Sequence, residues 1–90
     1  MKQIQAPSSS SNQTVGCLGF SGNYDSTDGV LPDYISGYIR VKNTGNTLGH
    51  IKLSDSGAND VGMAFSPGET EYLYIEKPIK IVDGDFNIMY

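Results

Sequence analysis

The sequence contains no tryptophan, one cysteine (Cys17) and one histidine (His50), and these scarcities remove several chemistries at once. A single cysteine closes no internal disulfide. With one histidine and one distant cysteine, neither a zinc site nor a Cys–His nucleophile pair can be built from neighbouring positions. No serine stands in Gly-x-Ser-x-Gly, and neither G-x-x-x-x-G-K-[ST] nor G-x-G-x-x-G occurs. Basic residues are also few: six against ten acidic ones, for a net charge of −4. Lys2, Arg40, Lys42, Lys52, Lys77 and Lys80 are scattered among acids, whereas nucleic-acid capture needs clustered cations that displace counterions. No apolar run approaches a membrane span, and residues 1–7 lack the apolar core of a secretory signal. The expectation is one gene product beginning at its own Met, without export, enzymatic activity, cofactor or metal.

Uninterrupted stretches are scarce too. The longest segment free of both Gly and Pro is nine residues, 69–77. Helices average about eleven or twelve residues, and an interior Gly or Pro costs about 1 or 3 kcal/mol. What remains is an all-β chain of short strands separated by turns. Period-two alternation supports it. Residues 34–41 place Ile35, Gly37, Ile39 and Val41 on one face, with Tyr34, Ser36, Tyr38 and Arg40 on the other. Asn43-Thr44-Gly45-Asn46 reads as a turn, followed by a strand at 49–53 and a short apolar strand at 61–65. Ser66-Pro67-Gly68-Glu69 is a turn leading into 71–76, and Asp83-Gly84-Asp85 signals a hairpin between 79–82 and 86–90. The expected core is Ile35, Ile39, Val41, Ile51, Leu53, Phe65, Leu73, Ile75, Ile81 and Phe86.

Residues 3–24 carry no charged side chain, and 8–11 are all serine. Such a segment has too little apolar area to offset its own ordering entropy. Residues 1–14 therefore read as an extended N-terminal arm and 15–90 as the folded domain. Two readings of the arm stand. It is disordered, or it becomes ordered on a neighbouring subunit, with 15–20 as a strand; burying it would strand no unpaired charge. Cys17, in the run Val15-Gly16-Cys17-Leu18-Gly19-Phe20, reads as a small packed hydrophobe.

Acidic loops at 25–29, 55–60 and 83–85 offer oxygens for Ca²⁺, but none matches the twelve-residue EF-hand pattern, and Asp, Asn and Gly are also the ordinary turn formers. His50 falls on the polar face of its strand. Tyrosine is more informative. Tyr34, Tyr38, Tyr72 and Tyr74 occupy the polar phase of their strands, where a ring offers contact area and a hydrogen-bonding tip. They are candidates for a partner-binding surface, or they pack on one another or beneath the arm.

Ile39-Arg40-Val41-Lys42-Asn43-Thr44-Gly45-Asn46, with Pro67-Gly68-Glu69-Thr70 following, resembles a pattern of bacterial and phage immunoglobulin-like β-sandwiches. There a strand ending in V-x-N-T-G-N is followed by a pairing strand and then a P-G-E turn. The resemblance covers roughly residues 34–77. It implies a small immunoglobulin-like β-sandwich of about seven short antiparallel strands. A one-domain sandwich with a polar arm also resembles the auxiliary, or decoration, capsid proteins of tailed bacteriophages. That likeness implies a virion structural protein on the capsid surface, with the major capsid protein or other virion subunits as partners and self-association as a further contact. The contact candidates are then Gln3, Ile4, Gln5, Ala6 and Pro7 of the arm together with the four tyrosines. The alternative is a carbohydrate-binding or adhesion module using the same rings for stacking.

Overall fold

The computed structural model describes residues 18–90; the arm residues Gln3, Ile4, Gln5, Ala6 and Pro7, and Cys17, lie outside the described residues. Seven strands form: β1 (Ser21–Asp25), β2 (Gly37–Asn43), β3 (Gly49–Leu53), β4 (Met63–Phe65), β5 (Thr70–Ile75), β6 (Ile79–Asp83) and β7 (Asp85–Met89). They make two antiparallel sheets, ordered β1-β7-β2-β5 and β4-β3-β6. The chain is an all-β sandwich, as its Gly/Pro spacing requires.

The alternation within each strand supplies the core. Ile39, Val41, Ile75, Phe86 and Ile88 face inward from the four-stranded sheet, and Ile51, Phe65, Ile79 and Ile81 from the three-stranded one. Phe65 and Phe86 meet across the sheets edge to face, with ring centroids 5.4 Å apart, a geometry worth about 0.5–1.5 kcal/mol beyond burial. Leu31 and Ile35, from the connection before β2, join the same cluster.

The pairing is nested. β3 pairs with β4, β2 with β5, Val30 bridges Lys80 of β6, and β1 pairs with β7. The chain thus folds as one long antiparallel ribbon whose two halves run back along each other. Rolling that ribbon into two layers brings β2 beside β7 and β3 beside β6. This is the path of a jelly roll, with the second of its usual strands shortened to the bridge at Val30 and the hydrogen bond from Leu31 N to Ile79 O (2.9 Å). Immunoglobulin constant domains order their strands 1-2-5-4 and 3-6-7. The present sandwich keeps the 2–5 and 3–6 neighbours but inserts β7 between β1 and β2 and sets β4 outside β3.

Several local expectations change accordingly. Asp83-Gly84-Asp85 is not a hairpin: β6 and β7 lie in opposite sheets, because Ile81 and Phe86 must both point into the core between them. The corner is possible because Gly84 adopts φ +91° and sits against Gly49, whose Cα would be 2.8 Å from any Cβ at position 84. Likewise β3 does not pair with β2; the 44–48 connection crosses between sheets. Ser66-Pro67-Gly68-Glu69 is a turn, closed by Glu69 N to Ser66 O at 2.9 Å, and it too joins opposite sheets. β2 begins at Gly37, not at Tyr34, since Ile35 N bonds Pro32 O in a turn that still buries Ile35. No strand spans 18–20; β1 starts at Ser21, although Phe20 and Tyr90 exchange backbone hydrogen bonds. Leu53 is 40% exposed and Leu73 only partly buried, because β4 pairs with β3 no further than Ile51 and leaves that end of the sandwich less covered. Leu31, Ile79 and Ile88 are additional core residues.

Candidate interaction site

β1 and β2 run opposite to β7 and β5, so the starts of the first pair meet the ends of the second at one end of the four-stranded sheet. That end is aromatic. On its inner side Tyr90 lies against Phe20 (ring centroids 6.0 Å) and Tyr34 (5.6 Å). Tyr24 folds back over Gly22, where a Cβ would lie only 2.6 Å from the Tyr24 hydroxyl, and its phenol interacts with that of Tyr90. Burial, then the interaction with Tyr90, pushes the Tyr24 phenol up to about 12.

On the outer face Tyr38 and Tyr74 are register partners with ring centroids 4.8 Å apart. Tyr72 shares that face one step along β5, opposite Arg40. The Arg40 guanidinium is held across the sheet, Nη2 donating to Asn87 Oδ1 (3.0 Å), and Asn87 in turn donates to Asn23 Oδ1 (3.0 Å). Among the described residues Arg40 Nε is buried with no hydrogen-bond partner. The result is a platform of three tyrosines and one cation, placed by strand register. Tyr34 and Phe20, at 65% and 66% exposed, extend the apolar surface around the sheet end. Clusters of exposed aromatic rings mark contact sites, unlike single exposed side chains.

The four tyrosines singled out in the sequence are therefore all exposed, but in two groups: Tyr38, Tyr72 and Tyr74 on the outer platform, and Tyr34 with Tyr90 on the inner side. Phe20, Tyr90 and Arg40 complete the surface and were not among the candidates. The apolar runs at 15–20 and 86–90 contained the signal for the first two, but only the β1–β7 pairing brings them together.

A second feature opens between the sheets. A cleft of about 370 Å³ lies beside the β4 and β5 edges, where Ile51, Leu53 and Met63 face Leu73, Ile75 and Ile79. Lys52 holds its rim, donating to Gly57 O and Asp60 O (both 3.3 Å). Asp60 Oδ1 accepts from Gly62 N at 2.8 Å, and this bond, with smaller help from Ser56 and Lys52, keeps its carboxyl below the usual range.

The first of the acidic loops is occupied by its own backbone. Asp25 accepts from Thr27 N and Asp28 from Asp25 N, closing the short 3-10 turn Ser26–Asp28. The Thr27 bonds lower the Asp25 carboxyl. His50 Nδ1 pairs with Asp83 Oδ1 at 2.8 Å. Among the described residues no group of three or more His, Cys, Asp or Glu is placed to hold a metal ion, and no helix is long and apolar enough to cross a membrane. Comparison of the chain with protein-family models, curated proteins and solved structures finds no match.

Proposed function

We propose that the chain is a non-catalytic attachment subunit, an auxiliary capsid protein that docks on a virion lattice through the aromatic end and outer face of its four-stranded sheet. The observation that carries this reading is the Tyr38–Tyr74–Tyr72–Arg40 platform, continued around the sheet end by Phe20, Tyr34 and Tyr90. Tyr and Arg are enriched among the anchors of protein contacts, Tyr because it combines contact area with a polar tip and Arg because it brings several hydrogen-bond donors. A subunit that binds only the assembled lattice stabilises it by mass action, with no chemistry of its own. Jelly rolls serve in capsids and lectins alike, so the fold is compatible with the role without deciding it.

The test is to sediment purified particles of the encoding virus with the tagged chain and with Tyr38→Ala/Tyr74→Ala. Co-sedimentation that the double substitution abolishes, with the thermal transition unchanged, is the expected result. Absence of the chain from particles overturns it. The Tyr38–Tyr74 ring pair beside the Arg40 and Asn87 hydrogen-bonding groups supports a second reading, a carbohydrate-binding face. Saturable sugar binding by the isolated chain, followed by tyrosine fluorescence, favours that reading instead.

A further inference from the structure

The cleft between β4 and β5 is part of the core left open. Its walls are inward-phase residues of both sheets, Ile51 and Leu53 on β3 and Leu73 and Ile75 on β5, yet Leu53 and Met63 are 40% and 49% exposed. Among the described residues the β5 strand beside it is the last of its sheet and pairs with β2 alone, so they leave its other edge unpaired. A strand added at that edge would direct alternate side chains into the cleft, the geometry in which main-chain bonds supply affinity and pockets supply specificity. We infer that this edge and cleft receive the segment Gln3–Ile4–Gln5–Ala6 of a second copy of the chain.

Three features of the molecule select that occupant. Ile4 and Ala6 share one phase and Gln3 and Gln5 the other, so a strand placing the first two in the apolar cleft keeps the amides outside. The segment carries no charge to strand beside Leu53, Met63 and Leu73, and Pro7 ends its capacity to pair. The eleven steps from Pro7 to Leu18 extend up to about 36 Å, which matches the 39 Å longest dimension of the described residues and so reaches a neighbouring molecule. Docking on its own β5 would require a return across three strand spacings, about 14 Å, from β1 at the opposite edge. The direct route enters from the shared sheet end and pairs parallel to β5; antiparallel pairing on its own edge takes up a further strand length, about 17 Å, of the tether. A second copy is free to approach antiparallel, the more stable arrangement.

Self-association through this edge in solution is independent of whether the partner lattice is a capsid. In a Cys17→Ser background, one batch carries Ile4→Cys and another Met63→Cys; the two are mixed and oxidised, and a double variant with both cysteines serves as the same-chain comparison. Met63 is a half-exposed cleft residue, so its replacement leaves the buried core intact. The expected result is a disulfide-linked heterodimer on mixing, lost when Ala6→Asp is added to the Ile4→Cys chain. No cross-link on mixing, or a cross-link only within single chains of the double variant, overturns the proposal. Retention of the heterodimer with Ala6→Asp overturns it as well.

Discussion

Asn43 shows how much one side chain can settle. It is fully buried and polar, and its three side-chain hydrogen bonds all go to backbone: Nδ2 donates to Thr47 O and Phe65 O (both 2.9 Å), while Oδ1 accepts from Gly45 N (2.8 Å). The residue thereby ties the end of β2 to the crossing loop and to the end of β4, which belongs to the other sheet. In the sequence it reads as a turn former, an assignment that accounts for its amide but not for its burial. Asn43→Ala leaves one amide and two carbonyl groups without partners, and an unsatisfied buried group costs about 1–3 kcal/mol. Water entering the space left by the amide recovers part of the loss, so the expected destabilisation is about 3 kcal/mol. Equilibrium denaturation measures it; a change below about 1 kcal/mol would show that the network does not bear on stability.

At the level of elements, the strands were legible because period two reports which residues face the core, and the turns because Pro67, Gly68 and Gly84 advertise themselves. The partners of the strands were not legible. Alternation identifies a face and says nothing about which neighbour lies beside it, and sequential strands usually pair. Here only β3 and β4 do so. Asp83-Gly84-Asp85 has the composition of a hairpin loop, yet Ile81 and Phe86 on either side of it must occupy opposite walls of one core. The candidate site followed the same division. The exposed tyrosines could be chosen by phase, while their union with Phe20 and Tyr90 depended on β1 lying against the last strand of the chain. The edge strand β1 carries its own consequence through Tyr24. Its phenol is pushed up to about 12 in the fold from an ordinary 10.0, so the neutral form is the one the fold favours. Stability from this group is complete below pH 10 and is lost as pH rises through about 12. An absorbance titration should show a tyrosinate step near pH 12, coincident with loss of near-ultraviolet dichroism and missing from Tyr24→Phe. Persistence of that step in Tyr24→Phe would assign it to another ring.

For the molecule as a whole, the nested ribbon makes the last strand a central one. β7 lies between β1 and β2, although it is the final element of the described chain. The four-stranded sheet therefore cannot close until residues 85–89 are in place, and among the described residues β1 pairs with no other strand. A chain truncated after Asp83 retains six of the seven strands but loses Phe86 and Ile88, both fully buried. Removing a buried Phe costs about 3–5 kcal/mol and a buried Ile about 2–5 kcal/mol. Their sum, about 5–10 kcal/mol, is comparable to the entire stability of a small domain, about 5–15 kcal/mol. It takes no account of the hydrogen bonds that β1 and β2 lose at the same time. The truncated chain is accordingly expected to show no cooperative thermal transition and a collapsed amide proton spectrum, six strands notwithstanding. A dispersed, native-like spectrum from residues 1–83 would mean that the three-stranded sheet with β2 and β5 is a folding unit in its own right. In that case β1 and β7 would be a later addition, and the aromatic end that they build with Phe20 and Tyr90 could be removed without unfolding the rest.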